Sequence, residues 1–249
     1  AWSEFYCGGK TEVGKTRIMG GNILLTDDLA FIGRNELEFY LDTQNEADIN
    51  MIGLNVHNNT IVNVESRLRE LLHLGNRSII WVGTADKRDT YRNGDGKSSV
   101  GCQPIFDIDM FLAIGPQTGN EIIMLTTEFI EYGSVGGRKK LENLNKWLQE
   151  CYKKLEEDLS VKGFKVDTVC IPSAISFGIA GRIKAYYPTV NGLFEQLGDS
   201  ANFIMPMTNE GDKTFKTILD NAKAKLGTHS IKITPLYLGM DGTSGVRCR

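Results

Sequence analysis

Two groups of residues have types and spacings that could do chemistry. The first is Cys248, which ends the glycine-rich stretch Gly239-Met-Asp-Gly-Thr-Ser-Gly-Val-Arg-Cys248. Glycines there permit φ > 0 turns and close backbone approach, and nearby N–H groups could stabilise a thiolate. That is how a nucleophile would be presented; on a closing strand the same residue would pack as a small hydrophobe. The second group is Asp107-Ile-Asp109, inside the apolar run Ile105 to Ile114. On a strand, residues i and i+2 point to one face, so the spacing places both carboxylates side by side. Same-face acids are usually solvated or salt-bridged, but within so apolar a run a cation-binding role stands beside that reading. Mutual repulsion would raise one carboxyl of such a pair above the reference value of about 3.9, as a proton shuttle requires.

Other stretches carry weaker signals. Asp86 to Lys97 is charged and punctuated by glycine, and reads as a surface loop. Lying over a pocket, it would bring Arg88 or Arg92 to a substrate carboxylate. Gly8-Gly9-Lys10-Thr11 and Gly14-Lys15-Thr16 lack the spacing of a phosphate loop. The histidines are His57, His73 and His229, none paired at metal-ligand spacing, so no metal site is expected. His57 reads as a loop histidine, with a replacement base as the alternative.

The elements that must position these residues repeat along the chain. Ile23-Leu-Leu25 and Leu29-Ala-Phe-Ile32 read as a hairpin, Asn45 to Asn50 as loop, Val62 to Leu74 as a helix, and Ile79 to Val82 as a buried strand. The pattern returns with a strand at Ile108 to Ile114, its hairpin partner at Glu121 to Thr126, a helix at Leu141 to Leu159 and a strand at Lys165 to Ile171. It returns again with Ala185-Tyr-Tyr187 leading to Asn191 to Glu195, a strand at Ala201 to Met205, a helix at Phe215 to Leu226 and a closing strand at Ile231 to Leu236. Each unit is strand, strand, helix, strand, and none could bury its apolar faces alone. One mixed α/β domain over residues 1–249 is the reading, with no linker long enough to divide it.

Bulk properties narrow the function. A 249-residue chain with 41% hydrophobic and 24% charged residues can bury a core without staples. A net charge of −3 with scattered basic residues argues against nucleic acid. The apolar runs are too short to span a bilayer as helices. Five cysteines at irregular spacings read as reduced thiols, which favours a cytoplasmic location, although a removed leader would leave the same mature sequence.

Four motifs occur in order: Gly20-Gly21-Asn22 before a hairpin, Gln103-Pro-Ile-Phe-Asp-Ile-Asp-Met-Phe111, Tyr187-Pro-Thr-Val-Asn191, and Ser244-Gly-Val-Arg-Cys248. Together they resemble the pentein, or guanidino-group-modifying, superfamily of arginine and agmatine deiminases, dimethylarginine hydrolase and amidinotransferases. The resemblance implies a five-bladed α/β propeller, here lacking part of its first blade. It implies a thiolate that attacks a guanidinium carbon and a thiouronium intermediate cleaved by water. Cys248 matches the nucleophile, Asp109 the guanidinium-binding Asp, and Asn191 a polar residue that shapes the cysteine loop; Gly20, Gly21 and Asn22 match the substrate-binding glycine motif. Two positions depart: Asp107 stands where the family has its catalytic His, and Met19 where many members have Glu. The expected function is therefore a guanidine-modifying hydrolase with Cys248 and Asp107 as catalytic groups, no cofactor, and a small guanidine or peptidyl-arginine substrate. The alternatives are an impaired pentein that binds a small cation or a protein partner, and an ordinary α/β protein with chance matches.

Overall fold

The computed structural model describes residues 20–42, 60–91, 98–105, 107–133, 137–178, 183–197, 200–208 and 211–237. Three units of one design run through them. In the first, β1 (Ile23–Leu25) and β2 (Leu29–Gly33) form an antiparallel hairpin; α1 (Arg34–Asp42) and α2 (Ile61–Leu71) follow, and β3 (Ser78–Val82) returns parallel to β2. A further hairpin, β4 (Arg88–Tyr91) with β5 (Ser98–Gly101), is inserted before the second unit. That unit joins β6 (Leu112–Thr118) and β7 (Glu121–Glu131), crosses over through α3 (Arg138–Val161), and returns as β8 (Lys165–Phe177) parallel to β7. Here β9 (Ile183–Tyr187) adds a fourth, antiparallel strand. The third unit pairs β10 (Leu193–Leu197) with β11 (Ser200–Met207), crosses through α4 (Lys213–Gly227), and closes with β12 (Ile231–Tyr237). In all three, the sheet order is first strand, second strand, returning strand.

Local chemistry explains the helix boundaries. Thr60 caps α2 by accepting the Asn63 N–H, and the Asp212 carboxylate caps α4 by accepting from the Thr214 and Phe215 N–H groups. Along α3 the buried residues Leu144, Leu148, Cys151, Tyr152, Leu155 and Leu159 follow helical spacing, giving one apolar stripe.

Two of the three core clusters lie between successive units, and the third lies within the first. Strand β2 alternates: Leu29 and Phe31 join a cluster with the α3 residues Leu144, Leu148 and Leu155, whereas Ala30 and Ile32 join one with Val64 and Leu68 of α2. Both faces are covered, which is why every residue of β2 is buried. A third cluster packs Phe215, Ile218 and Ala222 of α4 against Val169 and Ile171 of β8. The crossover helices of the second and third units thus pack on their own sheet and on the preceding one, α3 reaching β3 and α4 reaching β8. The first strands lie in succession, β1 beside β6 and β6 beside β10.

The mixed α/β architecture and repeating unit agree with the sequence reading. Three such units occur among the described residues, against the five blades that the resemblance implies. Three expectations need correction. The stretch from Ile108 is not strand at its start: Ile108–Met110 is a 3-10 turn, and β6 begins at Leu112. Apart from Asp109 the run is apolar, so it has no periodicity to separate the two. The supposed surface loop from Asp86 holds β4, a strand of polar residues. Strand β8 also extends six residues beyond Ile171, through Pro172, which precedes the first residue paired to β9.

Candidate functional site

Three residues singled out in the sequence stand at corresponding places in the three units. Gly21 lies two residues before β1, Asp109 three before β6, and Asn191 two before β10. Because the first strands lie in succession, the segments that enter them meet. The 3-10 turn Gly20–Asn22 packs against the 3-10 turn Ile108–Met110. A Cβ built on Gly21 would stand 2.9 Å from both carboxylate oxygens of Asp109, so the carboxylate lies flush against backbone where other residues carry a side chain. Asn191 enters from the other side, its Nδ2 donating to Met110 Sδ at 3.2 Å. Asp109 and Asn191 are fully buried. Low dielectric at such a place strengthens the attraction between a carboxylate and any cation brought to it.

Asp107 has a different setting. It is half-buried at the N-cap position of the turn, with extended backbone angles, while Asp109 lies within the turn. The expectation of two carboxylates on one strand face is therefore overturned. Asp107 stands on extended backbone before the turn and Asp109 inside it, so the alternation of a strand does not align the two side chains.

Asn22 belongs to a second buried network. Its Nδ2 donates to Glu36 Oε1 of α1 at 2.8 Å, and its Oδ1 accepts from Gln103 Nε2 at 2.9 Å. Gln103 also donates to Ile105 O and accepts the Asn35 N–H, while Asn35 Oδ1 accepts the Cys102 N–H. The last residue of the glycine motif therefore ties the first turn to α1 and to the segment entering Asp109. Glu36 went unnoticed in the sequence; its signal was an acid four residues before Tyr40 of the core.

Behind Asp109 and Asn191 runs a chain of buried hydroxyls that sequence reasoning missed. The Tyr152 hydroxyl of α3 donates to Phe111 O at 2.8 Å, directly after the turn, and accepts the Thr127 N–H at 3.1 Å. Burial pushes this phenol well above its ordinary pKa, so it remains a donor at neutral pH. Thr127 Oγ1 of β7 meets Ser173 Oγ of β8 at 2.7 Å, and Ser173 meets Thr189 Oγ1 at 2.8 Å and accepts the Thr189 N–H at 3.0 Å. The available signal was a hydroxyl residue inside each of two apolar strands, Thr127 and Ser173.

The remaining candidates fall apart or lie elsewhere. Arg88 bonds Glu150 at 2.6 Å and stacks on Trp147, with its guanidinium 5.3 Å from the ring centroid, so it is committed to α3. Cys102, Cys151 and Cys170 form no disulfides. Burial pushes all three thiols up, Cys151 to about 12, which disfavours thiolates there at neutral pH. Among the described residues no cluster of ligating side chains could hold a metal, and no helix is long and apolar enough to cross a membrane. Cys248 with its glycine-rich stretch, Met19, His57, Arg92 and residues 45–50 lie outside the described residues.

No protein-family model and no curated protein matches the chain. Solved structures named as agmatine or arginine deiminases match it with probability 1.00 over about nine-tenths of this chain. One is a cysteine-to-serine variant of the C. jejuni agmatine deiminase with substrate bound, at 17% identity and a TM-score of 0.45, covering 91% of this chain and 53% of that one. Another is a protein named as an arginine deiminase from Porphyromonas gingivalis, at 14% identity and a TM-score of 0.49, covering 91% and 54%. The chain therefore spans about half the length of the solved structures it matches.

Proposed function

We propose that this chain binds the guanidinium group of a small molecule at Asp109 and hydrolyses it. The observation that carries this reading is the meeting of Gly21, Asp109 and Asn191 from three separate units, with the carboxylate buried against bare backbone. A planar cation presents N–H donors in a fork that a carboxylate accepts. In this reading the thiolate of Cys248 bonds to the guanidinium carbon, and a C–N bond breaks as ammonia leaves with a proton. Water then attacks the thiouronium carbon, the C–S bond breaks, and a ureido product departs as the thiolate returns. Asp107 handles the protons in place of an imidazole, and no cofactor takes part. The described units form part of a five-bladed ring in one domain over residues 1–249. Gly20 and Gly21 shape the floor of its substrate site, and Asn22 braces them.

One observation favours a second reading, binding without turnover: Asp107, the proton-handling candidate, does not share a strand face with Asp109. Both readings are tested together. Agmatine and L-arginine are titrated into the protein and into Asp109→Asn, ammonia release is followed, and Cys248 alkylation is measured across pH. Binding lost in Asp109→Asn, ammonia released by the unaltered chain, and no release from Cys248→Ala would support hydrolysis. Asp109-dependent binding without ammonia would support the second reading. Absence of binding, or binding indifferent to Asp109→Asn, would end both.

A further inference from the structure

We infer that Ser173 and Tyr152 are positioning residues, which set the spacing of Asn191 and Asp109 across the site from opposite ends of one hydrogen-bond circuit. The inference rests on the guanidine reading, with Asp109 holding the cation and Asn191 shaping the approach of the thiol.

The circuit closes on itself. From Asp109 the backbone runs to Phe111, whose carbonyl accepts from Tyr152. The Tyr152 hydroxyl also contacts Thr127 O at 3.1 Å and accepts the Thr127 N–H, so the phenol is fixed on β7. Thr127 Oγ1 reaches Ser173 on β8, Ser173 holds Thr189 by its N–H and its hydroxyl, and two residues later comes Asn191. The Asn191 amide returns to Met110, beside Asp109. All the side chains in this path are buried, where each link is stronger than in water.

Proton accounting separates the two ends. The hydroxyls of Thr127, Ser173 and Thr189 carry three protons for four oxygen contacts: Thr127 to Ile171 O, Thr127 to Ser173, Ser173 to Thr189, and Thr189 to Pro172 O. Ser173→Ala therefore leaves Thr127 and Thr189 each able to donate to a backbone carbonyl. The group that loses its acceptor is the Thr189 N–H, so the damage concentrates on the segment bearing Asn191. Tyr152→Phe instead releases Phe111 O, next to the turn bearing Asp109, and takes the acceptor from the Thr127 N–H on β7, while the Thr189 N–H keeps its bond to Ser173.

The two substitutions should split the kinetic constants in opposite ways. With agmatine as the probe in the full chain, Ser173→Ala should lower kcat about tenfold, the rate equivalent of one hydrogen bond, with KM within about twofold. Tyr152→Phe should raise KM by about tenfold and change kcat less. Thr189→Ser, which keeps both the hydroxyl and the N–H, should track the unaltered chain and remains informative if Tyr152→Phe does not fold. A folded Ser173→Ala with unchanged kcat would overturn the proposal. So would a lowered kcat with a raised KM in both variants, or a Thr189→Ser as impaired as Ser173→Ala, since either marks general loss of packing. If the unaltered chain neither binds nor hydrolyses agmatine or L-arginine, the guanidine reading has failed and takes this proposal with it. An active chain indifferent to Ser173→Ala removes the positioning role alone.

Discussion

Replacing Gly21 by alanine tests the contact on which the site is built. The new Cβ would lie 2.9 Å from each Asp109 oxygen, and ordinary contact begins near 3.4 Å, so the carboxylate must retreat by about 0.5 Å. It has little room, because Ile108, Met110 and Phe111 around it are all buried in the core shared by the first two units. Overpacking of this kind costs about 1–3 kcal/mol, which for a chain of this size lowers Tm by about 2–12 °C. The functional cost is separate. A 1 Å misplacement of a reacting group costs about a hundredfold, so half that distance predicts about a tenfold loss of agmatine affinity or turnover. Thermal melting and agmatine titration on the same samples read both effects. Unchanged melting with unchanged affinity would refute the placement of Gly21 against Asp109. Lower Tm with unchanged affinity would refute the claim that this carboxylate meets the ligand.

Gly227→Ala provides the contrast. A Cβ there meets nothing within 4 Å at the end of α4, and the substitution should stabilise by about 0.4–1 kcal/mol, read as a higher urea midpoint. Asp212→Ala should cost about 0.5–2 kcal/mol at neutral pH through the lost α4 cap. The Tyr132 hydroxyl, followed by the Thr214 and Phe215 N–H groups, holds the Asp212 carboxyl below its usual range. Because the folded pKa is lowered, its stabilisation is complete above about pH 4 and is lost as pH falls through the folded value. Denaturation midpoints of the two proteins should therefore converge in acid, and a constant gap would contradict the Tyr132 contact. Iodoacetamide at neutral pH should leave Cys102 and Cys151 of the native protein unmodified and label them once urea unfolds it; rapid native labelling of Cys151 by mass spectrometry would contradict its burial.

Much of the architecture was legible in the sequence because its periods are clean. The α3 stripe has helical spacing because one face is buried, and β2 stands out as a short apolar run bounded by turn residues because both its faces are. The first helix, α1, passed unread: it has nine residues, and after Leu37 its apolar residues form the unbroken run Phe39-Tyr-Leu41, in which no period emerges. Asp107 and Asp109 were found by their type, yet their shared face was assumed from a strand that is a 3-10 turn. The role of Asn22 was hidden because its partners are Glu36 and Gln103, 14 and 81 residues away. Ser173 and Thr189 were invisible for a similar reason: a hydroxyl in an apolar run signals a buried bond without naming its partner.

The location of the core between units bears on the order in which the protein opens. Each sheet holds its own hydrogen bonds, whereas Gly21, Asp109 and Asn191 each precede a different sheet. Separation at a seam would dismantle the site while leaving every ladder intact, and such partial openings require less free energy than global unfolding. A ligand bridging Asp109 and Asn191 would then act as a clasp between units. Amide hydrogen exchange near Phe111 and Thr189 should slow on ligand binding well before exchange at the centre of β7 or β11 changes. The site would be among the last parts of the molecule to form and the first to be lost, and occupancy by ligand would govern how long the units stay together.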